Sequence, residues 1–281
     1  MSESELRFEI NGHLIAAVEW GDPTGVPVLA LHGWLDNAAS FSFVAEELTG
    51  IRLIALDLMG HGYSDHRPES MPYYIWDNVT DVIAVADALG LDQFYIAGHS
   101  MGASVATLTA AVFPRRVRGL CLIEGLAPLV YSESELPGRM AEAILKRQRM
   151  KGRSLRPYKS IDQAVDARVN GRWPVSRQAA ARLVSRGAVV SQEGVIWRSD
   201  ASLMMPSVLR MSEAQVVGFI QNLRVPVSLV LGSDGIEDEQ MQSRIALLES
   251  CEIIRLEGGH HLHMEQRAAQ RIAKLINCWA A

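Results

Sequence analysis

Short apolar runs bounded by turn residues recur along the first 125 residues of the chain and again after residue 225. These runs predict strands near residues 6–10, 13–20, 26–32, 51–57, 93–98 and 118–124, then near 225–231 and 251–256. Asn11-Gly12 separates the first two runs and is a strong signal for a β-hairpin. Several later runs, such as Leu53-Ile54-Ala55-Leu56, are almost continuously apolar, which is typical of parallel strands covered by helices on both faces.

Helical patterns lie between the later strands. From residue 76 to residue 89, for example, Val79, Val82 and Val85 recur on one face. Because strand and helix alternate, the chain is expected to form an α/β fold.

The stretch from 126 to 224 breaks this alternation. It contains helical patterns at 138–151, 160–169, 176–185 and 212–222, and no strand run of comparable strength. Ser176 and Ser212 stand where helix N-caps are expected. An insertion of roughly 100 residues is too long for a simple loop, so we expect a helical cap over the carboxyl ends of the strands, where open α/β sheets bind ligands. The predicted core is then 1–125 and 225–281, and the predicted cap is 126–224.

Composition and charge narrow the function classes. The chain has 281 residues, of which 48% are hydrophobic and 21% charged, as in an ordinary globular protein. A net charge of −5 argues against a nucleic-acid or anionic membrane surface. The one basic block is expected to be a solvated helix face and loop; it consists of Lys146, Arg147, Arg149, Lys151, Arg153 and Arg156.

Localisation is expected to be cytoplasmic. Residues 1–7 show no secretory signal, and no apolar run reaches the length of about 18 residues that a membrane span needs. Cys121, Cys251 and Cys278 lack metal-ligand spacing and are expected to be reduced thiols. The oligomeric state does not follow from the sequence.

The candidate chemistry begins at Gly98-His99-Ser100-Met101-Gly102, which follows an apolar run and precedes a helix of small residues. A G-x-S-x-G turn between strand and helix holds the serine hydroxyl in a strained, exposed position. His32-Gly33-Trp34 follows the third predicted strand, residues 57–65 follow the fourth, and Gly258-Gly259-His260 follows the last.

These four motifs, in this order, resemble the α/β-hydrolase superfamily across nearly the whole chain. The resemblance is closest to the serine-hydrolase-like proteins, on residues 32–37, 122–125, 197–200 and 260–264. It implies the α/β-hydrolase fold, a mostly parallel eight-stranded sheet flanked by helices, with a helical cap inserted before the seventh strand.

The resemblance also implies residue roles. Ser100 would be the nucleophile and His260 its base, and the backbone N–H groups of Met101 and Trp34 would form the oxyanion hole. His32 and Trp34 would line the substrate pocket. No cofactor or metal is expected, because the three histidines at 260, 261 and 263 lack further ligands at definite spacing.

The acid of the triad has two main candidates. The superfamily commonly places it after the strand that follows the cap, but here Asp234 stands one position early, and such a shift reverses the direction of a side chain in extended backbone. Some relatives place it after the preceding strand, where this chain has Glu124. Asp238 is a third candidate, and geometry decides among them.

The expected function is a serine hydrolase that cleaves a carboxylic ester or related acyl compound through an acyl-enzyme. Thioesterase, amidase, lactonase and carbon–carbon hydrolase activities use the same machinery and stay open. The alternative is a catalytically weak or inactive binding protein that retains the fold. The expected partner is a small, apolar acyl substrate, since Leu203, Met204, Met205, Met211 and Trp197 of the predicted cap would suit a flexible apolar pocket, or else form the cap's own core. His261 and His263 are expected at the surface or behind His260, and His99 is expected to be structural.

Overall fold

A computed structural model describes residues 3–68, 71–150 and 156–280. Its main sheet has eight strands in the order β1-β2-β4-β3-β5-β6-β9-β10. The two pairings made by β2 are antiparallel and the other five are parallel. In chain order the strands are β1 Glu3–Ile10, β2 His13–Gly21, β3 Val26–Leu31, β4 Ile51–Leu56, β5 Phe94–His99, β6 Val117–Ile123, β7 Ala188–Ser191, β8 Gly194–Trp197, β9 Val227–Asp234 and β10 Cys251–Gly259. The predicted eight-stranded, mostly parallel α/β sheet is confirmed.

Helices cover both faces of this sheet. One face packs on buried residues of α1 and α9, such as Val44 and Ile272, and the other on residues of α2 and α3, such as Val82 and Val105. Alternate residues of β4 enter the two cores, which explains its continuous apolar run. The helices are α1 Ser42–Ala45, α2 Asp77–Ala88, α3 Met101–Val112, α4 Leu136–Met150, α5 Ile161–Val169, α6 Arg177–Gly187, α7 Glu213–Gln221, α8 Glu239–Ile245 and α9 Gln266–Asn277.

The segment between β6 and β9 contains α4 to α7, close to the positions predicted. Ser176 caps α6, and Ser212 forms a capping box with Gln215 at the start of α7. The segment also contains the antiparallel hairpin β7–β8, which was not predicted. Each of its strands has only four residues, too short for an apolar run to distinguish strand from helix.

Parts of two predictions lie outside the described residues. These are Lys151 and Arg153 of the basic block, and residue 151 of the helix predicted over 138–151. Within the described ranges, no helix combines the length and the apolar character needed to cross a membrane. The three cysteines are free thiols.

Candidate active site

Ser100 stands at the sharp turn between β5 and α3. Its φ of 52° lies in the left-handed region, which is strained for a residue other than glycine. A Cβ on Gly98 would lie 2.6 Å from the carbonyl oxygen of Gly102, and a Cβ on Gly102 would lie 1.9 Å from that of Leu31. Both glycines therefore allow the close backbone contact that places Ser100 at the carboxyl edge of the sheet.

His260 follows β10 and faces this serine. Its Nε2 lies 2.9 Å from Ser100 Oγ, and its ring packs against Trp173 with 4.6 Å between ring centroids. His260 is 8% exposed, so neighbouring side chains hold its orientation. An unprotonated Nε2 at this distance can accept the hydroxyl proton of Ser100.

Glu124 lies on the other side of the imidazole. Its Oε2 is 3.1 Å from His260 Nδ1, and its side chain is fully buried. Two backbone N–H groups also donate to the carboxylate, that of Gly232 to Oε1 at 2.7 Å and that of Ile236 to Oε2 at 3.0 Å. A Cβ on Gly235 would lie 2.1 Å from Oε1. The loop after β9 thus forms a close-fitting cradle for this buried charge.

The structure does not bring Asp234 or Asp238 to His260. Asp234 ends β9, is exposed and accepts a hydrogen bond from Ser233 Oγ at 3.1 Å. Asp238 caps α8 by accepting the N–H of Met241 at 2.7 Å. The loop after β9 therefore supplies backbone donors to Glu124 rather than a carboxylate to His260.

Two backbone segments border the space beside Ser100 Oγ. Helix α3 begins at Met101, and the N–H groups of Ala103 and Ser104 donate to the Ser100 carbonyl at 3.1 Å and 3.2 Å. The N–H of Met101, the first residue of the helix, has no carbonyl one turn earlier to receive it. On the other segment, Leu35 has a φ of 63° and donates its N–H to His61 Nε2 at 3.2 Å. Trp34 is 49% exposed, and its indole Nε1–H donates to the Leu203 carbonyl at 3.1 Å.

His32 lies behind this loop, not on the cavity wall where it was expected. It is fully buried, its Nδ1 lies 2.7 Å from the carbonyl oxygen of Gly33, and its Nε2 accepts the N–H of Leu58 at 3.0 Å. Burial lowers the pKa of His32 to about 4 and that of the adjacent His61 to about 3. Both rings are therefore neutral at pH 7, and each connects the loop that carries Trp34 to the chain after β4.

His261 and His263 are buried, so of the two positions expected for them the surface is wrong, and the position behind His260 agrees with their burial. The chain turns inward after His260, and the rings of His261 and His263 pack on His99 at centroid distances of 4.8 Å and 4.1 Å. Desolvation lowers the pKa of all three histidines. His99 Nε2 lies 2.8 Å from the backbone oxygen of His260, and this contact helps to position the residue that faces Ser100.

Sequence reasoning missed the buried carboxylate of Asp36. Its Oδ2 lies 3.1 Å from His261 Nε2 and 3.6 Å from His99 Nδ1, and these three side chains are of types that also bind metals. Arg168 forms an ion pair with Asp36 and thereby balances its charge within the cluster. Burial acts to raise the pKa of Asp36, but His261 and Arg168 hold it well below its usual range. Asp36 lies within residues 32–37, which carry part of the family resemblance, and this was its local signal in the sequence.

A cavity of about 880 Å³ opens over Ser100. Trp34, Met101 and His260 line it, together with four of the five apolar residues considered for the pocket, Leu203, Met204, Met205 and Met211. The fifth, Trp197, packs beside the buried core. Lys146 and Arg147 of the basic block also line the cavity, so that block is not only a solvated face.

Comparisons with known proteins agree with this fold. Residues 26–266 match the family model described as alpha/beta hydrolase fold. The chain is 33% identical to a serine hydrolase-like protein of Dictyostelium discoideum, over 91% of this chain and 76% of that protein. It is 28% identical to serine hydrolase-like protein 2 of Homo sapiens, over 98% of this chain and 94% of that one.

Solved structures give the same result. A hypothetical protein from Pseudomonas aeruginosa superposes with a TM-score of 0.93 at 40% identity, over 98% of each chain. A thioesterase domain from the curacin biosynthetic pathway superposes with a TM-score of 0.85 at 27% identity, over 98% of this chain and 99% of that one. The family match, the relatives and the shared architecture span nearly the whole sequence. This chain therefore belongs to the α/β-hydrolase superfamily.

Proposed function

We propose that the protein is a serine hydrolase that cleaves a carboxylic ester or related acyl compound through an acyl-enzyme. The observation that carries this proposal is the contact series from Ser100 Oγ to His260 Nε2 at 2.9 Å and from His260 Nδ1 to Glu124 Oε2 at 3.1 Å. Nucleophile, base and orienting acid with these spacings are what acyl transfer by serine requires.

In the first half-reaction, Ser100 Oγ attacks the acyl carbon while its proton passes to His260 Nε2. Glu124 accepts from His260 Nδ1–H, which orients the ring and stabilises the imidazolium. The N–H groups of Met101 and Trp34 donate to the oxyanion, and a donor of this kind contributes about 3 kcal/mol in measured cases. Collapse of the intermediate expels the alcohol, which takes the proton from His260.

Water completes the cycle by the same route. It attacks the acyl carbon of the Ser100 ester while His260 removes its proton, and collapse returns the proton to Ser100 Oγ and releases the acid. No cofactor enters either half-reaction.

We assign residues 126–224 as a cap over the core formed by 1–125 and 225–281. Leu203 and Met205 from this segment line the same cavity as Trp34 and Ser100 from the core. The Trp34 indole donates to the Leu203 carbonyl, which joins the two parts across the cavity. Such a cap would cover the acyl chain and limit the access of water.

Two classes compete with ester hydrolysis. The structural neighbour named a thioesterase makes a thioester the second substrate class to test. A binding protein with the same fold would need the cavity but no base beside its serine. The Ser100–His260–Glu124 spacing favours catalysis over binding alone.

Hydrolysis of p-nitrophenyl esters from acetate to dodecanoate tests the proposal. We expect turnover by the wild type, loss of turnover to background in Ser100→Ala, and wild-type rates in a control, Ser243→Ala, at an exposed serine on α8. Circular dichroism checks that all three proteins are folded. Substantial activity in folded Ser100→Ala would contradict the assignment of the nucleophile, and absence of turnover with every ester would favour the binding protein.

A further inference from the structure

The cavity wall has a charge balance opposite to that of the whole chain. The chain carries 27 Lys and Arg against 32 Asp and Glu, a net charge of −5. Among the described residues, three carboxylates line the cavity: Asp36, Glu124 and Asp238. Six cationic side chains line it: Lys146, Arg147, Arg168, Arg172, Arg210 and Arg244.

Ion pairs between described residues involve two of these cations. Arg168 pairs with Asp36, and Arg244 pairs with Glu213 at 2.6 Å. In the described part of the chain, the remaining four have no carboxylate within ion-pair distance; they are Lys146, Arg147, Arg172 and Arg210. The wall therefore carries positive charge that the described residues do not balance.

Arg172 lies close to the proposed reaction centre. Its guanidinium carbon is 5.5 Å from the centroid of the Trp173 ring, and that ring packs on His260 at 4.6 Å. The guanidinium of Arg172, an exposed residue, and the imidazole of His260 thus both pack on the Trp173 ring.

Arg210 lies at another part of the wall. Its guanidinium carbon is 4.6 Å from the centroid of the Tyr131 ring, in the segment that follows β6 and Glu124. The N–H of Tyr131 donates to the carbonyl of Met211, the residue that follows Arg210, at 3.3 Å. This hydrogen bond holds the two segments side by side. Arg210 is half-buried, so it has lost part of its hydration, and none of the described carboxylates lies within ion-pair distance of it.

We propose that the cavity selects acyl substrates that carry a negatively charged group separate from the scissile bond, and that Arg172 and Arg210 determine this selectivity. The inference rests on the proposed function and narrows its substrate class. Unpaired cations in a cleft with low-dielectric walls concentrate anions and favour bound anions over neutral analogues. The apolar residues beside them, such as Met204 and Met205, accommodate the uncharged part of the chain.

Matched substrates test this selectivity. We would compare kcat/KM for p-nitrophenyl hexanoate with that for mono-p-nitrophenyl adipate, which has the same chain length and a terminal carboxylate. Hexanoyl-coenzyme A carries its negative charge on the leaving group instead of the acyl chain. Comparison of the two charged substrates therefore shows on which side of the scissile bond the cavity recognises the anion. We expect at least one charged substrate to exceed the neutral ester by about tenfold or more, with an advantage that falls as NaCl is raised from 50 to 500 mM.

Charge-removing variants locate the effect. Arg172→Gln and Arg210→Gln should each reduce the charged-to-neutral ratio of kcat/KM severalfold. Arg149→Gln is the matched control, because Arg149 is exposed on the same helix as Arg147 but does not belong to the cavity wall. It should leave the ratio at the wild-type value. Equal kcat/KM for charged and neutral substrates, or a ratio that neither cavity variant changes, would overturn the proposal.

A binding measurement separates this inference from the proposed hydrolysis. If the wild type hydrolyses none of the substrates, the proposed function fails. The charge selectivity is then tested by ligand binding to the Ser100→Ala protein. Tryptophan fluorescence can follow this binding because Trp34 and Trp173 line the cavity. Tighter binding of monomethyl adipate than of methyl hexanoate, reduced in Arg172→Gln or Arg210→Gln, would support the charge selectivity. Equal affinity for the two esters would refute it.

Discussion

Acid should destabilise the protein through the two neutral histidines behind the Trp34 loop. Burial lowers the pKa of His32 to about 4 and that of His61 to about 3, whereas an unfolded histidine titrates near 6.5. Below pH 6.5 the unfolded chain therefore binds protons that the folded protein does not. The contribution of these two histidines to the free energy of unfolding is therefore complete above about pH 6.5. It is lost as the pH drops toward the pKa values of the folded protein.

The expected loss is large compared with the stability of a typical protein. Between pH 6.5 and pH 5, each of these histidines lowers the free energy of unfolding by about 1.4 kcal/mol per pH unit. The loss is about 2 kcal/mol for each residue and about 4 kcal/mol for the pair. Total unfolding free energies are commonly about 5–15 kcal/mol. The two residues alone should therefore remove a substantial part of the stability at pH 5.

Urea unfolding from pH 7.5 to pH 5 measures this effect. His61→Gln removes one titrating group, so its unfolding free energy should fall by about 2 kcal/mol less than that of the wild type over this interval. His66→Gln, at an exposed histidine, should follow the wild-type curve. Parallel curves for wild type and His61→Gln would refute the reasoning, and His32→Gln provides the same comparison if His61→Gln is too unstable to measure.

The other predictions concern the proposed triad. Glu124→Gln should keep the fold but lower the rate of ester hydrolysis by up to about four orders of magnitude, as in other triads. Asp234→Asn should lower this rate only slightly. A large loss in Asp234→Asn with a small loss in Glu124→Gln would identify Asp234 as the acid. Gly235→Ala should lower kcat because its Cβ would displace the Glu124 carboxylate, while Gly138→Ala, with open space around the site, should retain the wild-type kcat. His260→Ala should lower the rate of ester hydrolysis at least about a hundredfold, because the general base is lost. A mild effect of this substitution would show that another group is the base.

The fold could be predicted because its signals are local. Central strands of the main sheet such as β3 and β4 are almost continuously apolar, and the Asn11-Gly12 hairpin has φ values of 52° and 80°, as its sequence suggests. The β7–β8 hairpin was missed because its four-residue strands carry too little periodicity.

Residues of the candidate site could be predicted from the sequence only where a motif indicates the local backbone geometry. The glycines around Ser100 indicate the turn, and the end of β10 indicates where His260 emerges. The choice between Glu124 and Asp234 depends on where two loops meet, and the sequence pattern does not report that contact.

The burial of the histidines is likewise a long-range property. His32 was expected on the cavity wall, yet it hydrogen-bonds behind it. Asp36 pairs with Arg168 across 132 positions of the chain, and no local pattern indicates that contact.

Covalent labelling by a fluorophosphonate tests the central claim most directly, because only a serine activated by a neighbouring base reacts quickly with such a probe. The account predicts one adduct per chain, located at Ser100 by mass spectrometry of the digested protein, with labelling much slower in His260→Ala. A folded wild-type protein that stays unlabelled, or an adduct at another residue, would contradict it.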